Sequence, residues 1–245
     1  MATDILALED VVAGYGKMTI LHGATCTVAR GAITTVIGPN GAGKSTMFKT
    51  IFGMLPARSG RVLFEGAEIT NLAPRDLLAR GISYVPQGRN IFPELSVRHN
   101  LELGAVMAPA GFDLLGRMEV AMARFPVLRR KADQQASTLS GGEQKILEIA
   151  RALLLEPKLM LVDEPSIGLS PIMVNELFAV LTEMRDRGIT VLLIEQNAKR
   201  ALESSDHGIV LELGRTRIAD TAKSILADPR IGQLFLGGGL QEKVA

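Results

Sequence analysis

Apolar and polar residues alternate over residues 5–12 and again over 20–28, both runs carry β-branched side chains, and Gly14 and Gly16 stand between them. Period-two alternation around turn glycines predicts two antiparallel strands. The pattern then changes. Residues 33–37 form a continuous apolar run that ends in a glycine-rich turn, and residues 44–54 follow with helical spacing, so strand, loop and helix are predicted in succession. Residues 61–65 predict another strand before a turn at Gly66, residues 74–80 a short helix with Pro74 in its first turn, and residues 82–85 a buried strand.

Residues 87–155 contain no convincing strand. Ser96 opens an amphipathic pattern carried by Leu101, Leu103 and Val106, which predicts a helical subdomain over 88–155, inserted within one domain spanning 1–245. Met107, Met118 and Met122 fall in this segment and are expected to fill core gaps rather than to form a methionine-lined partner surface. After Pro157, strands over 159–163 and 189–194 flank a helix over 171–187 that Gly188 closes. Strands over 208–213 and 215–219 are expected to pair as a hairpin around Gly214, with a tail at 230–245 whose Gly237, Gly238 and Gly239 fray. His207, at the start of a strand, is expected to be structural. The fold class is α/β: a mostly parallel sheet, an N-terminal antiparallel β subdomain and a helical insertion.

With 27 Lys and Arg against 26 Asp and Glu, net charge offers no argument for a nucleic-acid partner. The longest apolar runs, such as 189–194, are far shorter than the roughly 18–20 residues that cross a bilayer. The first ten residues carry acids and lack a basic start followed by an apolar core, which argues against a secretory signal. Cys26 is the single cysteine, so an internal disulfide is excluded, a reducing compartment fits, and a packed strand position is expected.

Three segments carry chemistry. Gly38-Pro39-Asn40-Gly41-Ala42-Gly43-Lys44-Ser45 fits the phosphate-binding loop between a strand and a helix. Its glycines let backbone N–H groups turn onto phosphate oxygens, the helix presents its positive end, Lys44 adds a point charge, and the Ser45 hydroxyl can ligate Mg²⁺. These features define a P-loop NTPase core. A plain strand-to-helix turn would require none of that ordering. Residues 159–164 read as a buried strand ending in two acids, which suits Asp163 to hold Mg²⁺ and Glu164 to orient or deprotonate an attacking water. Leu139-Ser140-Gly141-Gly142-Glu143 repeats the anion-binding logic of a helix N-terminus, with Ser140 and Glu143 matching a capping box. Its two glycines leave backbone amides uncovered, and one chain cannot easily bring both sites to one nucleotide.

A loop ending Gly43-Lys44-Ser45-Thr46, then Leu139-Ser140-Gly141-Gly142-Glu143-Gln144, then a strand ending Asp163-Glu164-Pro165 together resemble the ABC ATPase family, over almost the whole chain. The resemblance implies ATP and Mg²⁺ as cofactors, and a head-to-tail dimer in which ATP on residues 38–46 is completed by Ser140, Gly141 and Gly142 of the other protomer. It also implies roles for single residues. Tyr15 resembles the aromatic that stacks on adenine, and Gln87 the glutamine that senses Mg²⁺ and water and links core to helical insertion. Two positions depart from the family pattern. Ser170 replaces the aspartate common in the segment that touches the opposite protomer, and Gln196 replaces the histidine that contacts the terminal phosphate. Glutamine can donate and accept hydrogen bonds but cannot become cationic, so Gln196 is expected to position water and phosphate while Glu164 acts as base and Lys44 stabilises charge.

Residues 195–198, Ser166 with Gly168 and Leu169, Gly88-Arg89 before Ile91-Phe92-Pro93, and Leu236-Gly237-Gly238 resemble the second ATP-binding subunit of branched-chain amino acid importers. That resemblance implies an energy-coupling ATPase on the cytoplasmic, inner face of the plasma membrane. Its expected partners are a second ABC ATPase or another copy of this chain, two membrane permease subunits and, indirectly, a periplasmic solute-binding protein. A lipid or lipopolysaccharide export motor is a nearer rival within the fold. A soluble ABC ATPase acting on nucleic acid or ribosomes is the alternative of a different class. Balanced charge and the lack of a long coiled-coil insertion weigh against it.

Overall fold

The computed structural model describes residues 3–231. Two sheets organise the chain. The first is antiparallel, in the order β2-β1-β4-β5, from β1 (Asp4–Tyr15), β2 (Met18–Ala29), β4 (Ala57–Phe64) and β5 (Ala67–Glu68). The second runs β10-β9-β3-β8-β7-β6, from β3 (Ile33–Ile37), β6 (Ile82–Val85), β7 (Leu159–Asp163), β8 (Thr190–Ile194), β9 (His207–Glu212) and β10 (Arg215–Thr221). Its five strands from β9 to β6 are parallel, and β10 pairs antiparallel at the edge.

The largely apolar composition of β3, β7 and β8 is explained by burial on both faces: every residue of these three strands is buried, the threonines included. Successive side chains of β7 serve two different cores. Leu159 and Leu161 pack with α1 (Lys44–Ile51) and the antiparallel sheet, while Met160 and Val162 pack with the helices on the opposite face. That opposite layer comprises α3 (Val97–Leu103), α4 (Leu114–Arg124), α5 (Pro126–Arg130), α6 (Gly141–Leu153) and α7 (Pro171–Asp186). The remaining helices are α2 (Pro74–Ala79), α8 (Ala198–Glu203) and α9 (Ala222–Ala227), of which α8 and α9 close a third cluster around Val210.

Several sequence expectations shift at their edges. α1 stops at Ile51 rather than at residue 54, because the chain turns left-handed at Gly53, with φ +68°. β4 begins earlier than expected, at Ala57, since pairing with Val12 and Ala13 extends it. Within the helical segment one isolated bridge joins Ser96 to Gln135. Met118 and Met122 are buried as gap fillers, but Met107 is exposed, a correction to the expectation for all three. Neither β5, α8 nor α9 was expected; each spans six residues or fewer, too short for a periodic signal. His207 opens β9 opposite Thr34, and Cys26 is buried in the first core, its thiol pushed up to about 12 by desolvation. The glycines at 237–239 lie outside the described residues.

The β9–β10 turn is pressed against the antiparallel sheet at Gly214, which has φ +72°. A β-carbon there would lie 1.8 Å from the Ile20 carbonyl oxygen. Backbone clash and the left-handed conformation act together, so Gly214→Ala should destabilise the fold by more than about 2 kcal/mol, read as a lower urea midpoint at unchanged m-value.

Candidate active site

The parallel strands β3, β6, β7 and β8 deliver their C-terminal ends to one edge of the sheet, the place where open α/β sheets form binding crevices. β3 ends at Ile37 and the chain enters residues 38–43. Gly43, in the N-cap position of α1, has φ +102°, and no side chain caps the helix and no acid occupies its first turn. The first N–H groups and the positive helix end therefore stay available to an anion. A cavity of about 240 Å³ lies over this loop, lined in part by Asn40, Gly41, Gly43, Lys44, Ser45 and Thr46, with Glu164 at its side. The Lys44 ammonium is held over the loop, donating to the carbonyls of Gly38 at 2.9 Å and Pro39 at 3.1 Å. Burial lowers its pKa, while Glu164 and Asp163 oppose that shift. Pro39 and Ala42 complete the loop through a turn, the Ala42 N–H donating to the Pro39 carbonyl.

Across from the loop, β7 ends in Asp163. The Ser45 hydroxyl lies 3.4 Å from Asp163 Oδ1, and the Tyr84 hydroxyl donates to Oδ2 at 3.2 Å. Burial raises the Asp163 pKa against the pull of Tyr84, Ser45, Lys49 and Lys44. A hydroxyl and a carboxylate so placed are hard oxygen donors suited to Mg²⁺. Among the described residues no group of three or more His, Cys, Asp or Glu is placed to hold a metal ion by itself. Ser45 and Asp163 would hold Mg²⁺, which ordinarily binds through one or two carboxylates and supplies charge stabilisation at phosphates.

Glu164 has φ +46°, uncommon for a residue with a side chain, and its N–H donates to the Ile194 carbonyl at 2.9 Å. Desolvation chiefly, and then the Asp163 charge, raise its pKa, while Lys44 lowers it. The Gln87 side-chain amide donates to Glu164 Oε2 at 2.8 Å. Gln87 therefore sits against Glu164, while Asp163 is held by Ser45 and Tyr84. Gln196 is exposed two residues beyond Ile194, its N–H donating to the Glu195 carboxylate at 3.2 Å. Tyr15 ends β1, 46% exposed, with the Lys49 ammonium 5.9 Å from its ring centroid.

Ser140, Gly141 and Gly142 open α6 at a distinct place, and none of the three lines the phosphate-loop cavity. The capping box is complete: Ser140 Oγ accepts from the Glu143 N–H and the Glu143 carboxylate accepts from the Ser140 N–H. Lys131 pins that carboxylate at 2.7 Å. The two glycines differ. Gly141 is exposed, but Gly142 is buried, and a β-carbon on it would meet the Met173 side chain of α7 at 2.1 Å. Close packing against Met173 gives Gly142 a second reason to be glycine, beside the anion-binding role expected for it. Gly141 shares a second hollow, of about 440 Å³, with Gln87, Lys145, Glu164 and Leu169. Ser170 caps α7, its Oγ accepting from the Met173 N–H.

Sequence reasoning missed Tyr84 and the structural part of Glu195. Tyr84 is wedged between Phe48 and Phe52, with ring centroids 6.2 and 5.4 Å away, so its hydroxyl is aimed at Asp163 by packing. The available signal was one tyrosine in the otherwise apolar end of a buried strand. Glu195 is 2% exposed and accepts from the Ser166 N–H at 3.0 Å, the Ser166 hydroxyl at 2.6 Å and the Gln196 N–H. Burial raises its pKa while these hydrogen bonds lower it. It ties the segment after Glu164 to the segment carrying Gln196. Glu195→Ala should lower stability by about 2–3 kcal/mol by leaving these donors unpaired. ATP turnover should fall more than nucleotide affinity, read by denaturant unfolding beside steady-state kinetics.

Residues 21–167 match the ABC transporter family. The high-affinity branched-chain amino acid transport ATP-binding protein BraG of Pseudomonas aeruginosa is 41% identical, over 96% of this chain and 100% of the relative. The probable branched-chain amino acid transport ATP-binding protein LivF of Archaeoglobus fulgidus is 38% identical, over 92% of this chain and 95% of its own length. A crystal structure of an ATP-binding cassette of an ABC transporter in its ADP conformation superposes with a TM-score of 0.85 at 32% identity, covering 96% of this chain and 99% of that one. A phosphate loop facing paired acids, a capped Ser-Gly-Gly helix start outside the phosphate-loop cavity, and likeness across nearly the whole chain lead to one conclusion: the chain belongs to the ABC transporter ATP-binding family.

Proposed function

We propose that this chain is the ATP-hydrolysing, energy-coupling subunit of an importer for branched-chain amino acids or similarly small solutes. The observation that carries the reading is the convergence of Lys44, Ser45, Asp163 and Glu164 at the mouth of the phosphate loop. The backbone of residues 38–46 and Lys44 bind and orient the triphosphate, and Ser45 and Asp163 hold Mg²⁺, which supplies charge stabilisation at the phosphates. Glu164 accepts the proton of the attacking water, and its raised pKa suits a base. Gln87 keeps the Glu164 carboxylate in place, and Gln196 orients water and phosphate by hydrogen bonding. Tyr15 supplies a face for the adenine ring.

Ser140, Gly141 and Gly142 close on the nucleotide of a partner, either another copy of this chain or a second ABC ATPase. This rests on the separation of α6's start from the phosphate-loop cavity within one chain. The pair drives two membrane permease subunits from the cytoplasmic face and serves a periplasmic solute-binding protein indirectly. Among the described residues no helix is long and apolar enough to cross a membrane, so a route through the bilayer needs other subunits. The solute class rests on the printed functions of BraG and LivF.

Two variants test the chemistry and the dimer separately. Glu164→Gln should retain ATP binding while kcat falls by about 10²-fold or more, with a dimer accumulating on ATP in size-exclusion chromatography. Unchanged turnover would remove the base role from Glu164. Ser140→Arg should bind nucleotide as a monomer yet fail to dimerise or hydrolyse, and normal closure by that variant would refute the cross-protomer site.

A further inference from the structure

Tyr84 and Asp163 stand on neighbouring parallel strands, β6 and β7, with Tyr84 level with Leu161. Asp163 lies two residues further along β7, so its side chain leaves the sheet on the same face as Leu161 and Tyr84, the face covered by α1. α1 meets both partners. Ser45, at its start, approaches Asp163 Oδ1, and Phe48, one turn on, packs edge-on against the Tyr84 ring at an interplanar angle of 77°. Phe52, at the C-cap of the same helix, meets that ring at 5.4 Å. Apolar packing thus fixes the phenol, and its hydroxyl donates to Asp163 Oδ2 at 3.2 Å.

Asp163 is 2% exposed, so local partners rather than bulk water set the direction of its two carboxylate oxygens: Oδ1 toward Ser45, Oδ2 toward Tyr84. A hydroxyl on Oδ2 has two effects. It holds the carboxylate with Oδ1 facing the Ser45 hydroxyl, and it occupies the oxygen that an ion would need in order to be chelated by both. Ca²⁺ accepts bidentate carboxylates in a loose, flexible shell, whereas the smaller Mg²⁺ demands a near-ideal octahedron.

We propose that Tyr84 is a positioning residue for the metal ion: by engaging Oδ2 it presents Asp163 as a one-oxygen ligand and favours Mg²⁺ over Ca²⁺ at the phosphate loop. The inference rests on the proposed role of Asp163 in holding Mg²⁺. The phenol itself touches neither ion nor nucleotide and acts through the carboxylate.

The test uses the full chain and titrates adenylyl imidodiphosphate, an ATP analogue that resists hydrolysis, calorimetrically in EDTA, in Mg²⁺ and in Ca²⁺. Tyr84→Phe keeps the ring between Phe48 and Phe52, so affinity in EDTA should stay within about twofold of wild type, reporting an intact phosphate loop. Mg²⁺-supported affinity should fall by about tenfold, the scale expected for the outer partner of a metal ligand, while Ca²⁺-supported affinity falls less or rises. In an Asp163→Asn background, adding Tyr84→Phe should change nothing further. Equal losses with the two ions, no loss with Mg²⁺, a loss already present in EDTA, or an undiminished loss in the Asp163→Asn background would each overturn the proposal. A wild-type affinity indifferent to Mg²⁺, or full Mg²⁺ enhancement in Asp163→Asn alone, would instead remove Asp163 as a metal ligand, and the role of Tyr84 with it.

Discussion

The short stretch of backbone where β7 ends governs everything around it. Glu164 adopts a left-handed conformation, and its N–H is satisfied by the Ile194 carbonyl of the neighbouring strand. A non-glycine residue held there costs on the order of 1–3 kcal/mol, which persists only where surroundings over-determine it. Here they do. The twist lets Asp163, still in the strand, face Ser45 and Tyr84, turns Glu164 toward Gln87, and brings Ser166 onto the buried Glu195. Adjacent residues thereby acquire separate partners, Ser45 and Tyr84 for the Asp163 carboxylate and Gln87 for that of Glu164.

The electrostatics follow from that placement. Asp163 and Glu164 are both pushed toward the neutral form by burial, and Lys44 opposes the shift in each. The ammonium in turn is drawn by two carbonyls of its own loop. A negatively charged phosphate entering the cavity would compete for the same ammonium, so the loop holds its cation close to where charge must be met. Preorganisation of this kind avoids reorientation during chemistry.

The elements that could be read from sequence are those with two-sided or repeating burial. β3, β6 and β7 are found at the expected residues because strands covered on both faces are rich in apolar and β-branched side chains, with few polar ones among them. The phosphate loop and the capping box were readable because each is a local chemical requirement. Contacts between distant parts were not. Tyr84 meets Asp163 across 79 positions, and no short-range pattern encodes the aromatic packing that aims its hydroxyl. The packing of Gly142 against Met173, a residue on another helix, was hidden from the sequence for a related reason.

The grip of α6 on the chain after β6 has a mechanical meaning. Buried Lys145 and Glu148 are paired at 2.6 Å, and their remaining capacity is spent on backbone: Lys145 donates to the Gly88 carbonyl and Glu148 accepts from the Asn90 N–H. Breaking this clamp would strand charge in the interior, so α6 and residues 88–90 must travel as a unit. Gln87 is the next link, with its amide resting on Glu164. Any tilt of the helical layer therefore tugs at Glu164, the carboxylate proposed above as the base, through a tether of hydrogen-bonded side chains and one short piece of backbone.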